Sequence, residues 1–194
     1  YPLHVIDFQP DFTFSVSCLS DTSRIISFTD ISSPAPTAWL WDFGDGGSDF
    51  LQNPVHTFYG SGPDTITLTA SVGSGCADTA VKIYEPPSAA FYADSFFCDQ
   101  PYQVQFTDAS TGTGPFSYLW IFGDGGSSTL QNPSHLYPLP AFVNFYYYPV
   151  TMSVTNSFGC SDTVKDTVFI IRPVADFSTS DTMGGCIPFT VSFL

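Results

Sequence analysis

The sequence predicts an all-β chain built from two similar small domains in tandem, and three observations carry that prediction. The first is an internal repeat. Trp41-Asp42-Phe43-Gly44-Asp45-Gly46-Gly47 returns as Trp120-Ile121-Phe122-Gly123-Asp124-Gly125-Gly126, and each copy runs on into Leu-Gln-Asn-Pro (Leu51 to Pro54, Leu130 to Pro133) and then a histidine, His56 or His135. The second is periodicity: apolar residues alternate over short stretches, and no window sustains a helical repeat. The third is composition. Aromatics make up 17% of the chain, 16 Pro and 15 Gly punctuate it, and every acidic residue but Glu85 is Asp, which suits turns rather than helices.

Taken in order, residues 1–9 have strand character but no repeat of their own, and they are expected to be the last strand of a preceding repeat. A first domain spans 10–86, with strands expected over 11–17, 25–30, 38–43, 55–59, 65–72 and 78–84. Ile26 and Phe28 share one face, as do Trp39, Trp41 and Phe43, and Ile66, Leu68 and Ala70, so these are the candidate core. Asp45-Gly46 supplies the positive dihedrals of a tight turn. Glu85-Pro86-Pro87-Ser88 reads as a semi-rigid linker, since proline restricts φ and removes backbone donors.

The second domain, 87–173, repeats the pattern with Val104 and Phe106, then Tyr118, Trp120 and Phe122, then Val150, Met152 and Val154. It differs by an insertion between His135 and Val150 that ends in Phe145-Tyr146-Tyr147-Tyr148. Simple alternation would bury half of that aromatic run; full exposure of the aromatics from Phe142 to Tyr148 would suit ligand stacking. Residues 174–194 match the start of a third, incomplete domain, so the expected arrangement is a window on a longer linear array.

Eighteen acidic residues stand against Arg24, Lys82, Lys165 and Arg172, for a formal net charge of −14. Such a surface repels phosphate backbones and anionic lipid, which argues against nucleic acid and membrane surfaces as partners. The longest apolar runs are strand-length, so no membrane insertion is expected in this segment.

The motif aromatic-x-Trp-Asp-Phe-Gly-Asp-Gly, followed by Asn-Pro-x-His-x-aromatic and a Val/Ile-Thr-Leu-x-Val-type strand, closely resembles the PKD (polycystic-kidney-disease-type) domain. The resemblance covers both complete repeats. It implies immunoglobulin-like β-sandwiches in an extracellular protein. The second copy departs from the pattern with Ile121 in place of the motif Asp.

Cysteines sit at matched places: Cys18 just after the first strand and Cys76 just before the last, with Cys98 and Cys160 in the same two places of the second repeat. In a sandwich the first and last strands commonly lie close, so the expected bridges are Cys18 with Cys76 and Cys98 with Cys160. Cys186 begins the same pattern again. No Cys-x-x-Cys pair exists, which argues against a zinc or redox site and for an oxidising compartment.

His56 and His135 recur without a recurring nucleophile, so catalysis and any cofactor are not expected. Asp42, Asp45 and Asp124 are weak calcium candidates, as in some PKD domains, but their spacing favours turn chemistry. Thr65, Thr79, Thr163, Thr167 and Thr182 each lie in Asp-Thr-aliphatic, which resembles the O-glycan acceptor of exported proteins in bacteria with type IX secretion. The Gly-Cys-x-Asp-Thr turn in both repeats resembles the large surface proteins of those same bacteria. The function this implies is a non-catalytic stalk or fibre module at the bacterial cell surface, supporting adhesion or filament assembly with neighbouring repeats as partners. The alternative is an ancillary carbohydrate- or protein-binding module of a secreted hydrolase. End-to-end domains favour the stalk; domains folded face to face over a large apolar interface favour the binding module.

Overall fold

The computed structural model describes residues 8–20, 22–73, 76–94, 102–140, 143 and 145–171. Within them the chain forms two β-sandwiches in sequence, each from two antiparallel sheets, with no helix long and apolar enough to cross a membrane. The first contains β1 (Phe12–Ser20), β2 (Ser23–Asp30), β3 (Ala38–Asp42), β4 (Ser48–Asp49), β5 (Val55–Tyr59), β6 (Asp64–Val72) and β7 (Cys76–Tyr84). One sheet runs β1-β2-β5 and the other β4-β3-β6-β7. The second contains β8 (Phe91–Ala93), β9 (Tyr102–Asp108), β10 (Phe116–Ile121), β11 (Ser127–Ser128), β12 (Ser134–Tyr137), β13 (Phe145–Asn156) and β14 (Ser161–Ile171). Its sheets, β8-β9-β12 and β11-β10-β13-β14, copy the first pair.

Each core is the inward half of this alternation. Phe12, Ile26, Phe28, Trp41, Phe43, Phe58, Ile66, Leu68 and Ala70 are buried in the first sandwich, and Val104, Phe106, Trp120, Phe122, Tyr137, Val150, Met152 and Val154 in the second. The predicted core faces are therefore correct, except that Trp39 and Tyr118 stop at the rim. There the Trp39 indole N–H donates to Asp30 (2.9 Å) and the Tyr118 hydroxyl donates to Asp108 (2.9 Å), so one polar tip stays satisfied at the sandwich edge. Burial, and then the Asp108 carboxylate, push the Tyr118 hydroxyl up to about 12.

The two sandwiches differ in one buried pair. In the first, Arg24 on β2 donates to Asp64 on β6 (Nε to Oδ2, 2.6 Å) and to the carbonyls of Gly60 (2.7 Å) and Gly62 (3.0 Å). Its guanidinium lies near the rings of Phe58 and Tyr84. Burial raises the Asp64 carboxyl above its ordinary value despite the pull of Arg24. In the second sandwich the corresponding places hold Tyr102 and Tyr148, both buried, and Tyr148 packs on Tyr137 with ring centroids 4.5 Å apart. One fold thus fills the same corner either with an ion pair or with aromatic rings.

The inserted residues lengthen β13. Its first part, Phe145 to Val150, pairs only with β14, because the β10 ladder begins at Thr151. Tyr148 is buried (4%), while Phe145 (57%), Tyr146 (43%) and Tyr147 (57%) stay exposed. Alternation alone misplaces Tyr146: it points to the same side as Tyr148, but the ribbon there has run past the strand that would cover it.

Candidate functional site

The repeated motif folds into a turn closed by its own histidine. After β3, Asp42 Oδ1 accepts the Gly44 amide and Asp45 Oδ1 accepts the Gly47 amide, both at 2.9 Å. The other Asp45 oxygen meets His56 Nε2 at 2.8 Å, and the imidazole lies flat on Phe43 with centroids 4.1 Å apart. The second copy repeats this: Asp124 accepts the Gly126 amide (2.9 Å) and meets His135 (2.8 Å), whose ring stacks on Phe122 at 4.1 Å. The downstream Leu-Gln-Asn-Pro serves the same frame, for the Leu51 carbonyl accepts the Trp41 indole N–H and the Leu130 carbonyl that of Trp120, each at 2.9 Å. Asn53 and Asn132 accept the amides of Asp30 and Asp108.

This geometry accounts for the motif as architecture. Burial pulls the Asp45 and Asp124 carboxyls upward, but the histidine hydrogen bonds and the glycine amides outweigh it and hold both below their ordinary value. Each of these carboxylates has both oxygens engaged, and Asp42 caps its own turn. Among the described residues no three His, Cys, Asp or Glu side chains converge as a metal site would require. The Asp45 and His56 side chains face Phe43 and Gly47 rather than a hydroxyl or thiol, so the pair locks a turn.

The other built site is the joint between the sandwiches, and it overturns the expected disulfides. Cys18 is bonded to Cys160 of the second sandwich, with Cα atoms 5.4 Å apart, and Cys76 is an exposed free thiol. Neither the Cys18–Cys76 pair nor the Cys98–Cys160 pair forms; Cys98 itself lies outside the described residues. The reason is strand direction. Cys18 pairs in register with Arg24, which reaches Tyr84 at the last residue of β7, whereas Cys76 is the first residue of β7. Eight residue steps at about 3.3 Å put those ends roughly 26 Å apart, far beyond what a disulfide spans.

Around that bond the β13–β14 turn caps the first core. Phe158 stacks on Phe14 (5.9 Å) and meets Tyr84 edge-on (5.8 Å). The Tyr84 hydroxyl donates to Cys160 Sγ (3.1 Å) and accepts from Asn156 Nδ2 (3.3 Å). The linker is held as firmly: Glu85 and Thr113 exchange two hydrogen bonds, Ser88 and Thr111 two more, and Asp162 accepts the Ala89 amide at 2.8 Å. Gly112 lies so close that a Cβ there would fall 2.5 Å from the Pro86 carbonyl oxygen. The sandwiches thus meet end to end, the C-terminal pole of one on the N-terminal pole of the next. Sequence reasoning missed Phe14, Tyr84 and Phe158, although one signal was there: the matched turns differ at Val72 against Asn156 and Ser74 against Phe158.

Of the candidate glycan acceptors, Thr65 on β6, Thr79 on β7 and Thr163 and Thr167 on β14 are exposed; Thr182 lies outside the described residues. The Thr163 hydroxyl is 2.8 Å from that of Ser153.

Two antiparallel seven-stranded sandwiches in tandem, each closed by an Asp-Gly-Gly turn, define the chain as a pair of immunoglobulin-like modules. The sequence matches the PKD domain family over residues 17–85 and again over 84–170, and the chain belongs to that family. Members are typically non-catalytic extracellular modules. Among solved structures, the PKD1 domain of Vibrio anguillarum Epp is similar at 26% identity, covering 46% of this chain and 99% of that one, with a TM-score of 0.38. Fibronectin(III)-like modules of Clostridium thermocellum CbhA match at 13% identity over 82% of this chain and 94% of that one, with a TM-score of 0.33. An amphioxus IgVJ-C2 molecule matches at 10% identity over 76% and 96%, with a TM-score of 0.35.

Proposed function

We propose that the chain is a non-catalytic stalk segment of an extracellular bacterial surface protein, holding an adhesive or enzymatic part away from the cell. The observation that carries this reading is the end-to-end joint, in which a disulfide, a stacked Phe14–Phe158 pair and a hydrogen-bonded linker all cross the same short boundary. A joint tied at three points resists bending, which a spacer needs and a module that closes around a ligand does not. Exposed Thr65, Thr79, Thr163 and Thr167 would carry O-glycan along such a stalk and shield its open strand edges. Calcium has no part in this reading, and the partners are neighbouring repeats of the same protein, in a continuous chain or an assembled filament. Small-angle scattering on the 194-residue chain should give the cross-section of a single sandwich and a length of two or more; a compact particle with the sandwiches side by side would overturn the proposal.

One observation favours a second reading, an ancillary carbohydrate- or protein-binding module. Phe145, Tyr146 and Tyr147 remain exposed on the β13–β14 ribbon, where Tyr147 stacks on Phe169 at 4.6 Å. Retention on insoluble polysaccharide, lost in Phe145→Ala/Tyr147→Ala, would support that reading.

A further inference from the structure

Cys76 is the described cysteine without a bond, and its position in the repeat says what it is for. It holds in the first sandwich the place that Cys160 holds in the second: the two lie at the start of the last strand, within Gly75-Cys76-Ala77-Asp78-Thr79 and Gly159-Cys160-Ser161-Asp162-Thr163. Cys160 is bonded not within its own sandwich but to the first strand of the sandwich before it. Cys76 is exposed at the corresponding pole of the first sandwich.

A separate feature shows that this pole is built to receive a predecessor. Gln9 and Ser33 exchange two backbone hydrogen bonds of 2.9 and 3.0 Å, and Ser88 and Thr111 exchange two of the same lengths. Thus the chain enters the first sandwich in the same antiparallel bridge as the linker that enters the second. Phe8, just ahead of that bridge, is buried against the first core. The entering chain is steered to the pole that carries Cys76, as Glu85 to Ser88 are steered to the pole that carries Cys160.

We propose that Cys76 forms a disulfide with the first-strand cysteine of a PKD-type repeat preceding the first sandwich, so that the cysteines of the array form a staggered ladder with each bond crossing a joint. This rests on reading the chain as part of a longer array. Each bond forms from two thiols, which together lose two protons and two electrons; a disulfide oxidant, protein or small molecule, takes up both and leaves as two thiols. In sequence, Val72 stands where the second repeat has Asn156, and Ser74 where it has Phe158.

The test is disulfide mapping of the native full-length protein, alkylated with iodoacetamide in denaturant before any reduction. The peptide holding Cys76 should appear cross-linked to a first-strand peptide of the preceding repeat, beside the Cys18–Cys160 pair. In Cys76→Ser protein exactly one additional alkylated thiol per molecule should appear, on that preceding strand. An alkylated Cys76 in native material, a Cys76 bond to Cys18 or Cys98, or a native protein with no cysteine-bearing repeat ahead of the first sandwich would each overturn the proposal. An alkylated Cys76 beside an intact preceding repeat overturns the ladder and leaves the stalk reading standing; a compact scattering profile with the cross-link present does the reverse.

Discussion

At the scale of single residues, the repeated turn shows why a glycine, a carboxylate, an aromatic ring and a histidine recur together. His56 reaches Asp45 only by lying flat across Phe43, and in that position its ring occupies the space above Gly47. A Cβ on Gly47 would fall 2.7 Å from His56 Cε1, and the same squeeze exists between Gly126 and His135. Glycine is required here by contact rather than by backbone dihedral, in contrast to Gly46, whose φ of +94° needs the left-handed region. Gly47→Ala should therefore destabilise the first sandwich by about 1–3 kcal/mol, the usual cost of overpacking a tight site. The same change in a His56→Ala background should cost clearly less, because the clashing ring is gone. Urea denaturation of the four proteins of this cycle measures the coupling; strictly additive losses would mean that the histidine is not what excludes a side chain.

At the scale of elements, the corner shared by β2, β5 and β6 has two solutions on one backbone. Arg24 and Asp64 are both buried, and desolvating the pair takes back much of what their attraction contributes. Removing one partner leaves a buried charge, so Arg24→Met should cost about 3–5 kcal/mol. Grafting the second sandwich's solution, Arg24→Tyr with Asp64→Tyr, removes both charges at once and places rings where Tyr102 and Tyr148 sit. The double variant should recover most of the loss seen with Arg24→Met. Thermal unfolding followed by near-ultraviolet circular dichroism decides it, and a double variant less stable than Arg24→Met would show that the guanidinium bonds to Gly60 and Gly62 matter more than the charge balance.

At the scale of the whole molecule, the boundary between the sandwiches is a boundary of sequence more than of packing. Cys160 belongs to the second sandwich by chain and to the first core by burial, and Phe158 packs beside it. The bond closes a sequence separation of 142 residues, for which chain entropy gives about 5 kcal/mol. Calorimetry of the oxidised chain should therefore show the two sandwiches unfolding in one merged transition. In Cys18→Ser protein the transition should split, with the first sandwich melting about 10 °C or more earlier. Superimposable thermograms would mean that the aromatic and hydrogen-bonded contacts alone hold the joint.

What the sequence determined by itself is local. Strand positions, the inward faces around Trp41 and Trp120, the Asp-Gly turns and the repeat were legible because alternation and turn chemistry act over a few residues and need no knowledge of the rest of the chain. The equivalent places of His56 and His135 in the two repeats were legible too, whereas their contacts with Asp45 and Asp124 came only from the structure. The pairing of cysteines was not legible. In a repeated sequence, Cys18 with Cys76 and Cys18 with Cys160 are equally regular assignments, one within a repeat and the other between neighbours. Only the direction of β7, which carries Cys76 to the far pole, and the end-to-end seating of the next sandwich, which brings Cys160 to the near one, decide between them. The same holds for Tyr146, left exposed because its ribbon outruns the neighbouring strand, and for Arg24 and Asp64, which lie forty residues apart and meet only across the folded sheets. These outcomes depend on which surfaces face each other, and that is a property of the assembled molecule rather than of any stretch of it.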